Sequence, residues 1–222
     1  MSTLREIKTF FAPLLTRNPE FSFERRWCFL KPVTHVSWAI SIMTSNDEFF
    51  QLHWGASAMF IPGMTLSTIS RRISYEKGCW TRNIENIEAE IKKSVEDQCL
   101  RFLPNDPNLV DLYNFRSDIT LGNDTSFYDL FEPYGIFYYS AQGQVGKARE
   151  MCENLIRKVG DCPRETWDEP PRVAVRDLYP LLRAGDRKGI GALLRFHEER
   201  CIKGHRLEKL WRPAPYPVEL QG

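Results

Sequence analysis

Apolar residues recur at helical spacing at the start of the chain, where Leu4, Ile7, Phe11, Leu14 and Leu15 share one face until Asn18-Pro19 interrupts them. The pattern predicts an amphipathic helix with one buried stripe. From Phe23 the period falls to two. FERRWCFLK, closed by Pro32, is a predicted strand, and two more follow at 35–44 and 48–61.

The last two strands predict a hairpin whose register follows from its faces. Trp38, Ile40 and Ile42 point one way in their strand, and Phe50, Leu52, Trp54, Ala56 and Phe60 point one way in theirs. A two-residue loop would set these rows on opposite faces. A three-residue loop, Ser45-Asn46-Asp47, pairs Ile42 with Phe50, Ile40 with Leu52 and Trp38 with Trp54, with Asn or Asp taking the left-handed position. The reverse face then carries a polar row, in which His35 lies beside Ser57 and Ala39 beside His53, with Gln51 further along.

Residues 63–80 fit neither period clearly. Asn83 can cap a helix striped by Ile84, Ile87, Ile91, Val95 and Cys99. The Asn-, Asp- and Pro-rich stretch 104–126 predicts a surface connection. A short apolar run at 135–139 leads to a helix over 145–159 stopped by Gly160. GDCPRETWDEPPR, 160–172, is a composition break, so the organisation expected is an α+β domain over 1–160, a linker over 161–172 and a helical extension over 173–222. In that extension Gly185-Asp186 joins two helices, and the proline-rich RPAPYPVELQG is expected to lie extended on the surface or to be disordered.

The chain has 222 residues, enough for a sizeable core. With 30 Lys and Arg against 29 Asp and Glu it exerts no global pull on nucleic acid or acidic membranes. Six dispersed cysteines without a C-x-x-C pair suggest reduced thiols. With no apolar leader and no long apolar run, the expected location is the cytoplasm, with no membrane partner.

Catalytic signatures are missing. His35 and Ser57 lack a carboxylate placed to orient the imidazole and a glycine elbow to present the hydroxyl. His197, Cys201 and His205 stand at i, i+4 and i+8, but the outer pair is about 12 Å apart along a helix, too far to share one ion. No metal or cofactor is therefore expected. GQVGK at 143–147 lacks the first glycine and the hydroxyl of a phosphate loop, with Ala141 and Ala148 in those places. Between Arg183 and Arg212 nine basic residues face four acidic ones, so Arg195, Arg200 and Lys203 are candidates for contacting an acidic surface.

The order of LREIKTFFAPLL, FERRWCFLKP, FFQLHWGASAMFIP and FYDLFEPYGIFYYS resembles a bacterial α+β family of unknown function, over about residues 4–160. That family is similar in architecture to immunity and antitoxin-type proteins. The resemblance implies binding to and neutralising a toxin, and it carries no functional residues over.

The expectation is thus an α+β fold, an antiparallel sheet packed by helices with a helical C-terminal extension. Its function is expected to be non-enzymatic binding of another protein, in its finer form toxin immunity, through His35, Gln51, His53, Ser57, Arg195, Arg200 and Lys203. The alternatives are a hydrolase or transferase on the hairpin's polar face, and nucleic-acid binding through the basic C-terminal helices.

Overall fold

The computed structural model describes residues 4–44, 48–63, 66, 69–104, 108–115, 132–159 and 169–221. It is an α+β fold. Helix α1 (Leu4–Arg17) leads into an antiparallel meander, β1 (Phe21–Glu24), β2 (Trp27–Leu30), β3 (Val36–Thr44), β4 (Phe50–Ala58) and β5 (Ile69–Ile73), paired in chain order. Then come α2 (Ile87–Gln98), a 3-10 turn Leu100–Phe102, α3 (Leu109–Asn114), α4 (Glu132–Ala141) and α5 (Val145–Val159). The C-terminal part holds α6 (Glu169–Val173), a π turn Ala174–Leu178, α7 (Tyr179–Ala184), α8 (Arg187–His205) and α9 (Pro217–Leu220).

Strand alternation decides which side of the sheet is packed by helices. Trp38, Ile40 and Ile42 of β3, Phe50, Leu52, Trp54 and Ala56 of β4, and Ile69 and Ile73 of β5 all enter one core. There they meet Ile7, Phe10, Phe11 and Leu14 of α1 and Ile91 and Val95 of α2. Buried residues of α4 to α9, down to Tyr216 and Val218, belong to the same hydrophobic cluster. On the opposite face Phe29 and Ala39 pack with Val33, Met59, Ile202 and Leu207, so the C-terminal end of α8 and the turn after it cover that end of the sheet.

Three local expectations are corrected. FERRWCFLK is not one strand: Arg25 adopts a positive φ of 59° and folds it into the β1–β2 hairpin, with Glu24 opposite Trp27. The β3–β4 register is displaced by two residues, pairing Thr44 with Phe50, Ile42 with Leu52, Ile40 with Trp54 and Trp38 with Ala56. The faces survive, because a two-residue shift preserves alternation. The cause lies in residues 48–50, which are engaged elsewhere: the Phe50 N–H donates to the Trp80 carbonyl, the Arg82 N–H to the Glu48 carbonyl, and Phe49 bridges Thr81. Residues 45–47, the expected loop, lie outside the described residues. Finally, the proline-rich tail does not lie free on the surface: Tyr216, extended in backbone, and Val218 are fully buried, and Pro217–Leu220 close as the short helix α9.

Of the ambiguous stretch, 69–73 is strand β5, and the expected helix 83–99 begins later, at Ile87. Within 104–126 the capped helix α3 buries Leu109 and Leu112; residues 105–107 and 116–126 lie outside the described residues, as do residues 160–168 of the expected linker.

The joint at Gly185-Asp186 follows its sequence. Gly185 takes the left-handed conformation and the Asp186 carboxylate accepts the Gly189 N–H at 2.9 Å. Ahead of it, Pro180 has no N–H to give the carbonyl four residues back, and its ring would crowd that carbonyl. The π turn widens the helix there. The Tyr179 N–H and the Cys152 thiol both donate to the Ala174 carbonyl.

Candidate functional site

The polar row expected on the exposed side of the hairpin divides in two. Ser37, Ser41 and Ser57 are buried, and Ser57 lies opposite Ser37 rather than beside His35. Gln51 and His53 are half-buried, with His53 Nε2 3.0 Å from Gln51 Oε1. His35 is buried at the covered end of the sheet, where its Nδ1–H donates to Glu198 Oε2 at 2.9 Å.

Glu198, on α8, is the centre of this region. It is fully buried, and its carboxylate accepts from His35, from the Tyr216 hydroxyl, from Trp211 Nε1 at 2.7 Å and from Arg195 at 3.4 Å. Burial pushes its carboxyl upward. The hydrogen bond and charge of His35, then the bonds from Tyr216 and Trp211, outweigh this and hold it below its ordinary value. Burial, then the Glu198 charge, drive the Tyr216 hydroxyl well up.

An imidazole oriented by a carboxylate resembles a general base, but this one is closed. His35 Nε2 lies 3.3 Å from the Pro215 carbonyl, and Tyr216 stacks on the ring at 3.8 Å between centroids. No substrate proton can reach that nitrogen. The cluster fastens the tail to the sheet. Backbone bonds assist, from the Val33 N–H to Leu210 and from the Arg212 N–H to Val33. Arg195 also contacts the Ala214 carbonyl and Glu219, with its guanidinium 4.8 Å above the Tyr216 ring. Of the expected basic contact residues, Arg195 is therefore committed inward, Arg200 pairs with Glu169 at 3.2 Å, and Lys203 is exposed.

His197, Cys201 and His205 line a single cleft on α8, with Ile61, Pro62 and Arg200 also on its wall. Burial, then the Glu198 charge, push the Cys201 thiol up to about 11, which keeps it protonated at neutral pH. Among the described residues, no group of three or more His, Cys, Asp or Glu is placed to hold a metal ion.

A second cleft lies on the helix side of the sheet. It measures about 310 Å³ and opens between β3, β4, β5 and α3, walled by Trp38, Trp54, Phe102 and Phe115. Trp38 and Trp54 stack at 6.1 Å, and Phe115 meets each of them edge-on at 4.9 Å. The β4–β5 register sets Arg71 directly across from Trp54, the charged member of the row Ile69, Arg71, Ile73. Its guanidinium lies 5.8 Å over Trp54 and 5.2 Å over Phe115. Asp111 and Asn114 of α3 complete the lining, and the Asp111 carboxylate also caps its own helix by accepting the Asn108 N–H.

One atom in this wall is unsatisfied. Trp38 is 3% exposed, and its buried Nε1–H has no hydrogen-bond partner among the described residues. A buried donor without an acceptor costs about 1–3 kcal/mol, so a native structure that keeps one calls for an explanation. Phe102, at the rim, is 53% exposed and carries Arg101 at 4.7 Å over its ring. Aromatic and arginine groups around a partly open cavity are the composition of a protein-binding hot spot.

Sequence reasoning took Trp38 and Trp54 for ordinary core and passed over Arg71, Phe102 and Phe115. The signal available was an arginine in the apolar row of the ISRRI strand. No family model, curated protein or solved structure matches this chain. No helix among the described residues is long and apolar enough to cross a membrane.

Proposed function

We propose that this chain is a non-enzymatic protein that binds another protein, and that the aromatic cleft is where it does so. The observation that carries this is the unpartnered Trp38 Nε1–H in the wall of an open cleft walled by aromatic rings. The occupant is a side chain with an apolar stem and an oxygen acceptor at its tip. Glutamate fits best: its methylenes lie against Trp54 and Phe115 and its carboxylate faces the Arg71 guanidinium, taking the Trp38 N–H, which is shut off from solvent in the unbound chain, as the aromatic wall gives way.

The closed geometry of His35 supports a binding role over a hydrolase or transferase on the hairpin. The resemblance to immunity-type proteins supports the finer form, in which the partner is a toxic enzyme silenced by being bound. A partner recovered with the wild-type chain, once purified, is titrated against Trp38→Phe and Arg71→Glu. Each variant is expected to bind at least tenfold more weakly, and unchanged affinity in both rejects the cleft. Loss of the partner's own activity on stoichiometric addition tests the immunity form.

A further inference from the structure

The α8 cleft, away from the aromatic one, carries an independent indication of a ligand. It measures about 270 Å³ and is lined by Ile61, Pro62, Glu169, His197, Arg200 and Cys201, among others. His197 is 5% exposed, and its Nε2 is buried with no hydrogen-bond partner among the described residues. The ring's surroundings are charged as well as apolar. Burial, then the Arg200 charge, hold His197 below its ordinary value, against the opposing pull of Glu169 and Asp177, so the ring is neutral near pH 7 and its Nε2 is a donor or an acceptor according to the tautomer.

Arg200 shows what the cleft takes. Its Nη1 donates to Glu169 Oε1 at 3.2 Å, yet the arginine side chain is 57% exposed and the glutamate 30%. This is a solvent-reachable pair at the edge of an open volume, of a kind worth little to stability. A guanidinium presents several donors in a planar fork that matches a carboxylate. A carboxylate on a ligand can therefore take the place of Glu169, with the rest of the ligand lying against Ile61 and Pro62.

We propose that this cleft is a binding site for a small carboxylate-bearing molecule. The ligand's carboxylate sits on Arg200, with Glu169 as the internal stand-in it displaces, and a second polar atom reaches His197 Nε2. The site is distinct from the aromatic cleft and does not rest on the protein-binding reading. No bond is made or broken in it.

The test follows the His197 ring nitrogens by ¹H–¹⁵N correlation during titration with acetate and with glycolate, which adds a hydroxyl for His197. Chloride and inorganic phosphate are the controls. Wild type is expected to show a saturable shift with the carboxylates, tighter for glycolate than for acetate. Glu169→Gln removes the competitor and is expected to tighten binding severalfold, while Arg200→Gln weakens it about tenfold or more, the measure of one charge-assisted bond. Opposite signs from the two halves of one ion pair separate a ligand site from a structural bridge, whose loss acts alike from either side. Should Arg200→Gln unfold, Arg200→Lys replaces it, keeping charge without the fork, with a smaller loss expected. The proposal is overturned by the absence of a saturable carboxylate shift in both wild type and Glu169→Gln. It is equally overturned by a shift that phosphate or chloride reproduces, or that survives in the Arg200 variant.

Discussion

Glu198 receives the Nδ1–H of His35 at 2.9 Å across a sequence separation of 163 residues. The same carboxylate takes the Tyr216 hydroxyl and the Trp211 indole N–H, which joins the start of β3, the middle of α8 and the tail at one buried point. Replacing it with alanine would leave His35 Nδ1, Trp211 Nε1 and the Tyr216 hydroxyl without this acceptor, while Arg195 keeps the Ala214 carbonyl and Glu219. Glu198→Ala is expected to destabilise the fold by about 3–5 kcal/mol, the scale of breaking a buried charged network. Tyr216→Phe, which removes one donor, should cost about 1 kcal/mol. Urea unfolding of both variants checks the ratio.

The same residue sets an acid limit. The folded Glu198 carboxyl lies below its ordinary value of 4.5 because His35, Tyr216 and Trp211 outweigh the upward push of burial. A folded value below the unfolded one gives stability that is fully present above about pH 4.5 and is lost as pH falls through the folded value. The urea midpoint of wild type should fall with acid below that point. In Glu198→Gln, which starts from a lower midpoint, the fall should be shallower.

Trp38→Phe separates binding from stability. Phenylalanine keeps an aromatic ring in the wall but removes the orphaned N–H, so the desolvation cost of that donor disappears together with some packing. The midpoint of unfolding is expected to stay within about 1 kcal/mol of wild type, while partner affinity drops. A large loss of stability would show instead that the indole is held for packing alone.

Gly55 of β4 lies opposite Ser70 of β5. A Cβ added there would lie 2.3 Å from the Ile69 carbonyl oxygen, a backbone atom that cannot step aside without moving the strand. Gly55→Ala is expected to cost about 3 kcal/mol, the upper range for overpacking. Thermal unfolding measures it.

Among the described cysteines, Cys79 is exposed whereas Cys28, Cys99 and Cys152 are buried. Burial pushes the Cys28 and Cys99 thiols up, and burial followed by the Glu153 charge moves Cys152 to about 12. An alkylating reagent applied to the native protein should label Cys79 first. Peptide mapping then finds the half-buried Cys201 modified more slowly, and Cys28, Cys99 and Cys152 only after denaturation.

The faces of β3 and β4 were legible because alternation depends only on parity, which is why Trp38 and Trp54 were rightly set on one side. Their pairing was not, since Phe50 and Glu48 bond to residues some thirty positions later and nothing local announces that. Arg25 gave no turn signal, arginine being a poor marker for positive φ. Nothing local in FHEER marks Glu198 as buried, because its partners at His35, Trp211 and Tyr216 are remote in sequence. The aromatic cleft was hidden for the same reason: Trp38, Arg71 and Phe115 come from three separate elements.

Trp211, beside Val33 in a parallel bridge, has a bearing on how the molecule is made. A chain emerging from the ribosome exposes Phe29, Ala39 and Met59 long before Ile202, Leu207 and Trp211 arrive to shelter them. Until then the nascent sheet shows a bare apolar flank and an imidazole without its Glu198 partner. Truncated or stalled products should therefore be the forms that aggregate or recruit chaperones.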